Sequence, residues 1–384
     1  MGLLSYTIKL AIAVLPMVDA LGGCTSNQRK SWSSLTDDEK SEFIQAELCL
    51  MNSVPQLFTE WAENRYDEII YTHVIQASVI HNVGAFLPWH RLYVRAHEIL
   101  LQNECGYSGA QPYWDELADV DNMTASVIFD NEVGFGGDSD GSCISTGPFA
   151  NYTSHVNADG VGMSDCITRN FRAETFEDGA SQDQIDTCLD TGNYDDANDC
   201  YSGSLHNAGH GGIGGKMGNV VASPTDPIFF LHHANLDRLW WNWQLEDLDT
   251  RLTEIGGDNY PNAQLLQIEG IEYPGAEITD YFGDDGNVTT LNHNLWMVGL
   301  ISNYTIGDVM DLQGNINPNV NIAHSETETL ANLTAAEHVF NKDTFKTIMA
   351  VFEIVCTIKM PLQMAIPVMI AMHQKENIRP ALSL

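Results

Sequence analysis

Histidines at helical spacing are the feature of this sequence with the clearest chemistry. In the segment HNAGH, His206 and His210 are four residues apart, so on a helix both imidazoles project from one face and can bind the same metal ion. The segment DPIFFLHHAN follows and supplies His232 and His233. A single HxxxH pair is weak evidence of a metal site. A third histidine on the next predicted helix completes a three-histidine set.

A second group of histidines lies upstream, at His73, His81 and His90, and ends in the segment FLPWHR. Two such sets predict two metal ions bound by neutral imidazoles, a ligand type that selects copper or zinc over magnesium or calcium. Neither HNAGH nor HNVGAFLPWH contains a carboxylate that could bridge two zinc ions. We therefore expect two copper ions, which together can transfer two electrons to O₂.

These motifs resemble those of the type-3 copper family of tyrosinases, catechol oxidases and hemocyanins. The similarity extends from about Leu35 to Gly314 and includes FLPWHR, QPYWDE, HNAGH, DPIFFLHHANLDRLW and DVMDLQG. The short interval between His73 and His81 is similar to that of the short secreted fungal tyrosinases and catechol oxidases. The resemblance implies an enzyme with a dinuclear copper site that uses O₂ as a co-substrate.

The resemblance also implies which histidines bind each copper. The implied ligands are His73, His81 and His90 for copper A, and His206, His210 and His233 for copper B. His232 remains the alternative to His233, because neighbouring residues on a helix point about 100° apart and only one of the two can face the metal. If His233 is the ligand, His232 lies behind the ligands or in the substrate pocket.

Two residues beside copper B are implied to act on the substrate. Val220 stands where the family has a gate residue, and its small side chain would leave the copper accessible. Asn207 resembles the asparagine that in some tyrosinases orients a water molecule for deprotonating monophenols. Ser202 stands where plant enzymes have the glutamate that partners this water. The resemblance therefore implies oxidation of o-diphenols (catechols) to o-quinones, with hydroxylation of monophenols depending on Asn207 without that glutamate.

Two other activities use the same metal chemistry. An o-aminophenol oxidase differs from a catechol oxidase only in the substrate. A hemocyanin-like oxygen-binding protein would be a large chain of many units with a shielded site, whereas this chain has 384 residues and Val220 at the entrance. The sequence therefore favours an oxidase.

The elements that must position these histidines are mainly α-helical. A capping box at Thr36–Glu39 predicts a helix to about Leu50, and helices are also predicted over 87–103, from near His206, and from Asp226-Pro227 onward. We expect a four-helix bundle that holds the dinuclear site in its core. Between 115 and 201 the chain is rich in Gly, Asp, Asn and Ser and contains four cysteines, which predicts long loops pinned by disulfides.

The chain divides into four predicted parts. Residues 1–20 have the features of a signal peptide, 21–34 form a leader, 35–314 form the dicopper domain and 315–384 form an atypical tail. The longest uncharged run of the tail, Met360 to Met372, is shorter than the roughly 20 residues that span a bilayer. A membrane anchor is therefore not expected.

Composition limits the partners and the compartment. The formal net charge of −35 disfavours nucleic acids and anionic membrane surfaces and is compatible with a small phenolic substrate. Eight cysteines, an even number, fit an oxidising compartment, although the sequence leaves their pairing open. The Asn-x-Ser/Thr acceptors are at Asn122, Asn151, Asn287, Asn303 and Asn332. Together these features predict a secreted, extracellular glycoprotein.

Overall fold

The computed structural model of the chain describes residues 28–260, 267, 282–312 and the backbone of 321–322. These belong almost entirely to one compact unit, Arg29–Pro318. The second unit, Met1–Gln28 with Asn319–Leu384, lies nearly all outside the described residues. The predicted signal peptide, leader and C-terminal tail, as well as Cys24, Cys356 and Asn332, fall in that undescribed part.

Helices dominate the described residues, as the sequence predicts. They are α1 (Asp37–Asn52), α2 (Arg65–Val74), α3 (Ala77–Ile80), α4 (Phe86–Cys105), α5 (Ala173–Gly179), α6 (Gln182–Leu189), α7 (Tyr194–Cys200), α8 (His206–Ile213), α9 (Ile228–Leu245), α10 (Leu248–Arg251) and α11 (Ile306–Val309). The short strands are β1 (Gln28–Arg29), β2 (Thr153–Asn157), β3 (Gly160–Cys166), β4 (Asn294–Leu295), β5 (Tyr304–Thr305) and β6 (Asn321–Ile322). Strands β2 and β3 form an antiparallel hairpin, as do β4 and β5.

The long helices begin and end at recognisable signals. Helix α1 starts at the predicted capping box, in which Thr36 and Glu39 bond to each other's backbone amides. Gly106 caps the C-terminus of α4: its φ of 70° is one that glycine adopts without strain, and its amide donates to the carbonyl of Leu101. The predicted helix over 87–103 is therefore confirmed and is slightly longer.

Helices α2, α4, α8 and α9 form the four-helix core. Helix α4 packs against α9, and α9 packs against α8. The hydroxyl of Tyr93 on α4 donates to the carbonyl of Ile69 on α2 over 2.7 Å and joins those two helices. Most side chains of α4 and α9 are buried, because both helices lie in the centre of the unit.

The segment between 115 and 201 contains more regular structure than its composition predicts. It forms the β2–β3 hairpin and the three helices α5, α6 and α7, each of eight residues or fewer. Disulfides Cys143–Cys166 and Cys188–Cys200 pin it, and a third disulfide joins Cys49 to Cys105. The prediction of disulfide-pinned loops is confirmed, but the short helices were missed because they are too short for a periodic pattern. No helix among the described residues is long and apolar enough to cross a membrane.

Candidate metal centre

The three upstream histidines come together as cluster A, defined as His73, His81 and His90. His73 lies in the last turn of α2, His81 immediately follows α3, and His90 lies in the second turn of α4. All three are buried, and each offers a ring nitrogen within 4.8 Å of the other two. Three separate helices therefore converge on one point, which is a spacing suited to a single metal ion.

The downstream histidines form cluster B, defined as His206, His210, His232 and His233. His206 and His210 lie one turn apart on α8, as the HNAGH spacing predicts, and His232 and His233 lie on α9. Their ring nitrogens also lie within 4.8 Å of one another. The Nε2 atoms of His210 and His233 are 3.2 Å apart, close enough for both to bind one cation.

The two clusters face each other across the core of the bundle. The rings of His90 and His233 stack with a centroid distance of 4.4 Å, and those of His81 and His206 are 6.2 Å apart. Phe229 lies between the clusters, with ring distances of 4.1 Å to His233 and 5.3 Å to His73. Two metal ions held by these clusters would therefore be neighbours within one cavity.

Backbone carbonyls fix the orientation of five cluster imidazoles. In each case Nδ1 lies at hydrogen-bonding distance from the oxygen, so the proton is on Nδ1 and the lone pair is on Nε2. The five bonds join His73 to Val221 (2.9 Å), His81 to Ala77 (2.8 Å), His90 to Phe86 (2.8 Å), His206 to Ser202 (3.3 Å) and His210 to Met217 (2.6 Å). Carbonyls of this kind are the usual partners of metal-ligating histidines.

The unpartnered nitrogens fit a metal ion. The Nε2 atoms of His73, His90 and His206 are buried and have no hydrogen-bond partner. A buried polar atom without a partner is costly, and a bound cation would satisfy it. Imidazole donors without carboxylate or thiolate select copper or zinc. The residues present therefore fit a pair of copper ions.

Lowered pKa values keep these imidazoles neutral and therefore able to bind a metal ion. Burial lowers the pKa of His81 from 6.5 to about 4 and that of His232 to about 3. Burial, together with neighbouring imidazoles, also holds the pKa well below 6.5 for His73, His90, His206, His210 and His233. A histidine must be neutral to bind a metal ion, so protons do not compete strongly for these nitrogens near neutral pH.

His232 and His233 differ in what they face. His233 stacks on His90 of cluster A, whereas His232 directs Nδ1 at the Glu116 carboxyl over 2.5 Å. The two side chains thus point in different directions, as expected for neighbours on a helix. His233 also differs from the other cluster histidines because its buried Nδ1 has no partner. The position of His233 between the clusters favours it over His232 as the copper-facing residue.

Glu116 and two carbonyls of the loop before α9 support the site but were not predicted from the sequence. Burial raises the pKa of Glu116 well above 4.5, and its partner His232 is equally buried. Glu116 lies within QPYWDE, one of the segments that carry the family resemblance, but nothing in the spacing connects it with α9. The carbonyls of Met217 and Val221 could not be predicted because they depend on the path of a loop.

Asp237, one turn after His233 on α9, bonds to arginines rather than to the cluster histidines. Its carboxylate accepts hydrogen bonds from Arg29 over 2.9 Å and from Arg91 over 2.5 Å. These groups are buried, so the ion pairs join α4 and α9 to the start of the described chain. The next residue, Arg238, donates to the side-chain oxygen of Asn235.

The two residues expected to act on the substrate are both exposed. Asn207 follows His206 on α8, and Val220 is 37% exposed on the loop between α8 and α9. Ser202 lies in a π-helical turn, Tyr201–Leu205, that joins α7 to α8, and its hydroxyl donates to Asp199. Such turns often occur at functional sites. This one places the carbonyl of Ser202 where it accepts from Nδ1 of His206.

Comparisons with known proteins identify the family of this chain. Residues 63–246 match the family described as the common central domain of tyrosinase. The tyrosinase-like protein phomQ1 of Diaporthe leptostromiformis is 34% identical over 66% of this chain and 69% of its own length. N-acetyl-6-hydroxytryptophan oxidase ivoB of Emericella nidulans is 27% identical over 82% of this chain and 98% of its own length.

A solved structure has the same fold. The polyphenol oxidase of Thermothelomyces thermophila (mutant G292N) aligns with a TM-score of 0.67 over 84% of this chain and 98% of its own. The sequence identity in this alignment is 23%, so the comparison supports the fold rather than a substrate.

Proposed function

The chain belongs to the tyrosinase family of type-3 copper proteins, and on that basis we propose that it oxidises o-diphenols to o-quinones with O₂. The observation that carries the proposal is the pair of histidine clusters A and B, which face each other in one core with unpartnered Nε2 atoms. The proposed ligands are His73, His81 and His90 for copper A, and His206, His210 and His233 for copper B.

Two copper ions bound there would supply the redox chemistry, passing two electrons from the phenolic substrate to O₂. The protein's own part is to hold six neutral imidazoles in fixed orientations. Carbonyls fix five of them, and burial excludes water and keeps them unprotonated. All cluster histidines except His81 lie on the four core helices, and His81 directly follows α3, so the positions of the ligating nitrogens are fixed before substrate binds.

The exposed side chains set the proposed access to copper B. We infer that Val220, which is small and 37% exposed, leaves an aromatic substrate access to the site. Asn207 lies beside the first copper B ligand, where it can orient a water molecule. The position expected for a partner carboxylate is Ser202, which cannot act as a base at neutral pH. We therefore place o-diphenol oxidation first and monophenol hydroxylation second.

Related chains suggest the range of substrates. One relative is named an oxidase of N-acetyl-6-hydroxytryptophan, so a hydroxylated indole or an o-aminophenol is the second candidate substrate for this chain. An oxygen-binding role is the third candidate, and the exposure of Val220 argues against it.

We propose that the protein is secreted. Three disulfides join the described cysteines, which fits an oxidising compartment. The acceptor asparagines within the described residues are all exposed, at Asn122, Asn151, Asn287 and Asn303. Each is therefore accessible to a glycosylating enzyme.

Turnover of three substrate classes tests the proposed activity. The chain is expressed, loaded with copper, and mixed under air with a catechol, a monophenol or an o-aminophenol, while O₂ consumption and quinone absorbance are followed. We expect rapid oxidation of the catechol and slow or no oxidation of the monophenol. If two coppers are bound and no substrate is oxidised, the proposal is wrong, and reversible O₂ uptake under those conditions would support the oxygen carrier.

A further inference from the structure

One loop contacts both histidine clusters. The segment Met217–Ala222, here called the bridging loop, connects α8 to the turn before α9. At its start the carbonyl of Met217 accepts from Nδ1 of His210, over 2.6 Å. Near its end the carbonyl of Val221 accepts from Nδ1 of His73, over 2.9 Å. A loop of six residues therefore orients one proposed ligand of each copper.

The side chain of Asn219 fixes the conformation of the bridging loop through hydrogen bonds to its backbone. Its side-chain oxygen Oδ1 accepts two backbone hydrogen bonds, from Val221 over 2.9 Å and from Ala222 over 3.0 Å. Such a side-chain turn replaces hydrogen bonds that a loop cannot make to a helix or sheet. The amide of Asn219 in turn donates to the carbonyl of Lys216, so the residue is held at both its side chain and its backbone.

The peptide plane between Val221 and Ala222 connects Asn219 to cluster A. The carbonyl of Val221 and the amide of Ala222 belong to one planar peptide unit and point in opposite directions. Asn219 accepts from the amide side, and His73 donates to the carbonyl side. Rotation of this plane would break both bonds, so the orientation of the His73 ring depends on Asn219. Hydrogen bonds in such a chain also polarise and strengthen one another.

The two ends of the bridging loop are anchored independently. Before it, the amide of Lys216 donates to the carbonyl of Thr168 over 2.8 Å, and a side chain at Gly215 would collide with that same carbonyl. After it, the hydroxyl of Tyr66 donates to the carbonyl of Pro224 over 3.0 Å. With both ends fixed, Asn219 is the side chain that determines the path of the residues between them.

We propose that Asn219 is a positioning residue that holds His73 and His210 in a common orientation through the bridging loop. This inference rests on the proposed function, because it assumes that the two clusters bind copper. It also explains how the gate residue Val220 can be exposed without loosening the site. Val220 lies between Asn219 and Val221, whose backbones are both hydrogen bonded.

The test compares Asn219→Ala with a matched control elsewhere in the chain. Asp130 makes the same side-chain turn, accepting from Glu132 over 2.7 Å and Val133 over 2.8 Å, and neither its side chain nor those partners contact the clusters. Copper affinity is measured by competition with a chelator, and kcat and KM are measured with a catechol. Cu(II) electron paramagnetic resonance reports whether the two coppers remain coupled.

Asn219→Ala should weaken copper binding and lower kcat, each by roughly 10- to 100-fold, since this is the usual effect of losing a group that orients a metal ligand. KM should change little, and a signal from uncoupled Cu(II) should appear. Asn219→Asp keeps the acceptor oxygen and should restore parental behaviour. Asp130→Ala should leave all of these quantities unchanged.

Parental copper affinity and kcat in Asn219→Ala would overturn the proposal, as would equal losses in Asp130→Ala. If Asn219→Ala does not fold, Asn219→Ser replaces it, because a hydroxyl forms the same turn more weakly and should give an intermediate loss. If the parent chain binds two coppers but oxidises no phenol, the proposed function fails while the copper-binding comparison still decides the role of Asn219.

Discussion

At the scale of single residues, the site depends on which ring nitrogen carries the proton. Five imidazoles donate from Nδ1 to carbonyls and so direct Nε2 at the metal positions. The side chains alone cannot produce this arrangement, because an isolated neutral histidine adopts either tautomer. The carbonyls therefore act as part of the metal site, although they come from residues with no metal chemistry of their own.

Replacement of one proposed ligand tests the assignment of copper B. His210→Ala removes a partly buried imidazole whose Nε2 lies 3.2 Å from that of His233. We expect the variant to bind about one copper per chain, measured by metal analysis, and to lose catechol oxidation, because the two-electron step needs both ions. His155→Gln is the control, since His155 lies on the β2–β3 hairpin and belongs to neither cluster. Two bound coppers in His210→Ala would contradict the assignment.

At the scale of elements, α8 and α9 must approach closely for cluster B to form. Gly209 lies on the face of α8 that meets α9, and a side chain there would come within 2.2 Å of Nδ1 of His232. The imidazole of His232 therefore packs directly against α8 while Glu116 holds its Nδ1. This packing gives His232 a structural role between two helices. His233 instead points toward cluster A, where its ring stacks on that of His90.

Gly209→Ala should disrupt this contact. The added methyl group must displace His232 or separate α8 from α9, and such overpacking typically costs 1–3 kcal/mol. We expect a lower melting temperature and weaker binding of copper, measured by thermal unfolding and chelator competition. Gly203→Ala, in the π-helical turn before α8, is the matched control because a methyl group there meets nothing within 4 Å. Equal behaviour of the two variants would show that the contact does not constrain cluster B.

At the scale of the whole molecule, the buried histidines make folding depend on pH. Seven cluster imidazoles have a folded-state pKa below 6.5, whereas in the unfolded chain the pKa is close to 6.5. Below that value the unfolded chain binds protons that the folded protein excludes. Acidification therefore favours unfolding, and the effect continues until the pH reaches the folded-state values, about 4 for His81.

The copper-free protein should therefore lose stability steadily between pH 6.5 and 5. Each excluded proton contributes about 1.4 kcal/mol per pH unit to the free energy of unfolding. Denaturant unfolding at several pH values measures this slope, and bound copper should raise the stability at each pH because it binds only the folded site. A free energy of unfolding that is constant over this range would mean that the clusters are not shielded as the structure indicates.

The sequence by itself determined the family, the helical fold class and the histidines that gather into the two clusters. It could do so because HNAGH and the capping box at Thr36 encode local geometry, in which residues four apart share a face and a side chain caps its own helix. The short helices in the loop-rich segment were not predictable, since their contacts with the rest of the unit stabilise them more than their own sequence does.

Only the tertiary structure decided how the site is supported. It distinguished His232 from His233, because the Glu116 carboxyl lies beside His232. It also showed that Phe229 lies between the clusters, whereas Phe230 stacks on His97. It also revealed that the bridging loop around Asn219 holds a histidine from each cluster. The bridging loop uses backbone carbonyls, which every residue has, and Glu116 meets His232 from 116 positions away, so no residue type or spacing in the sequence identifies these contacts.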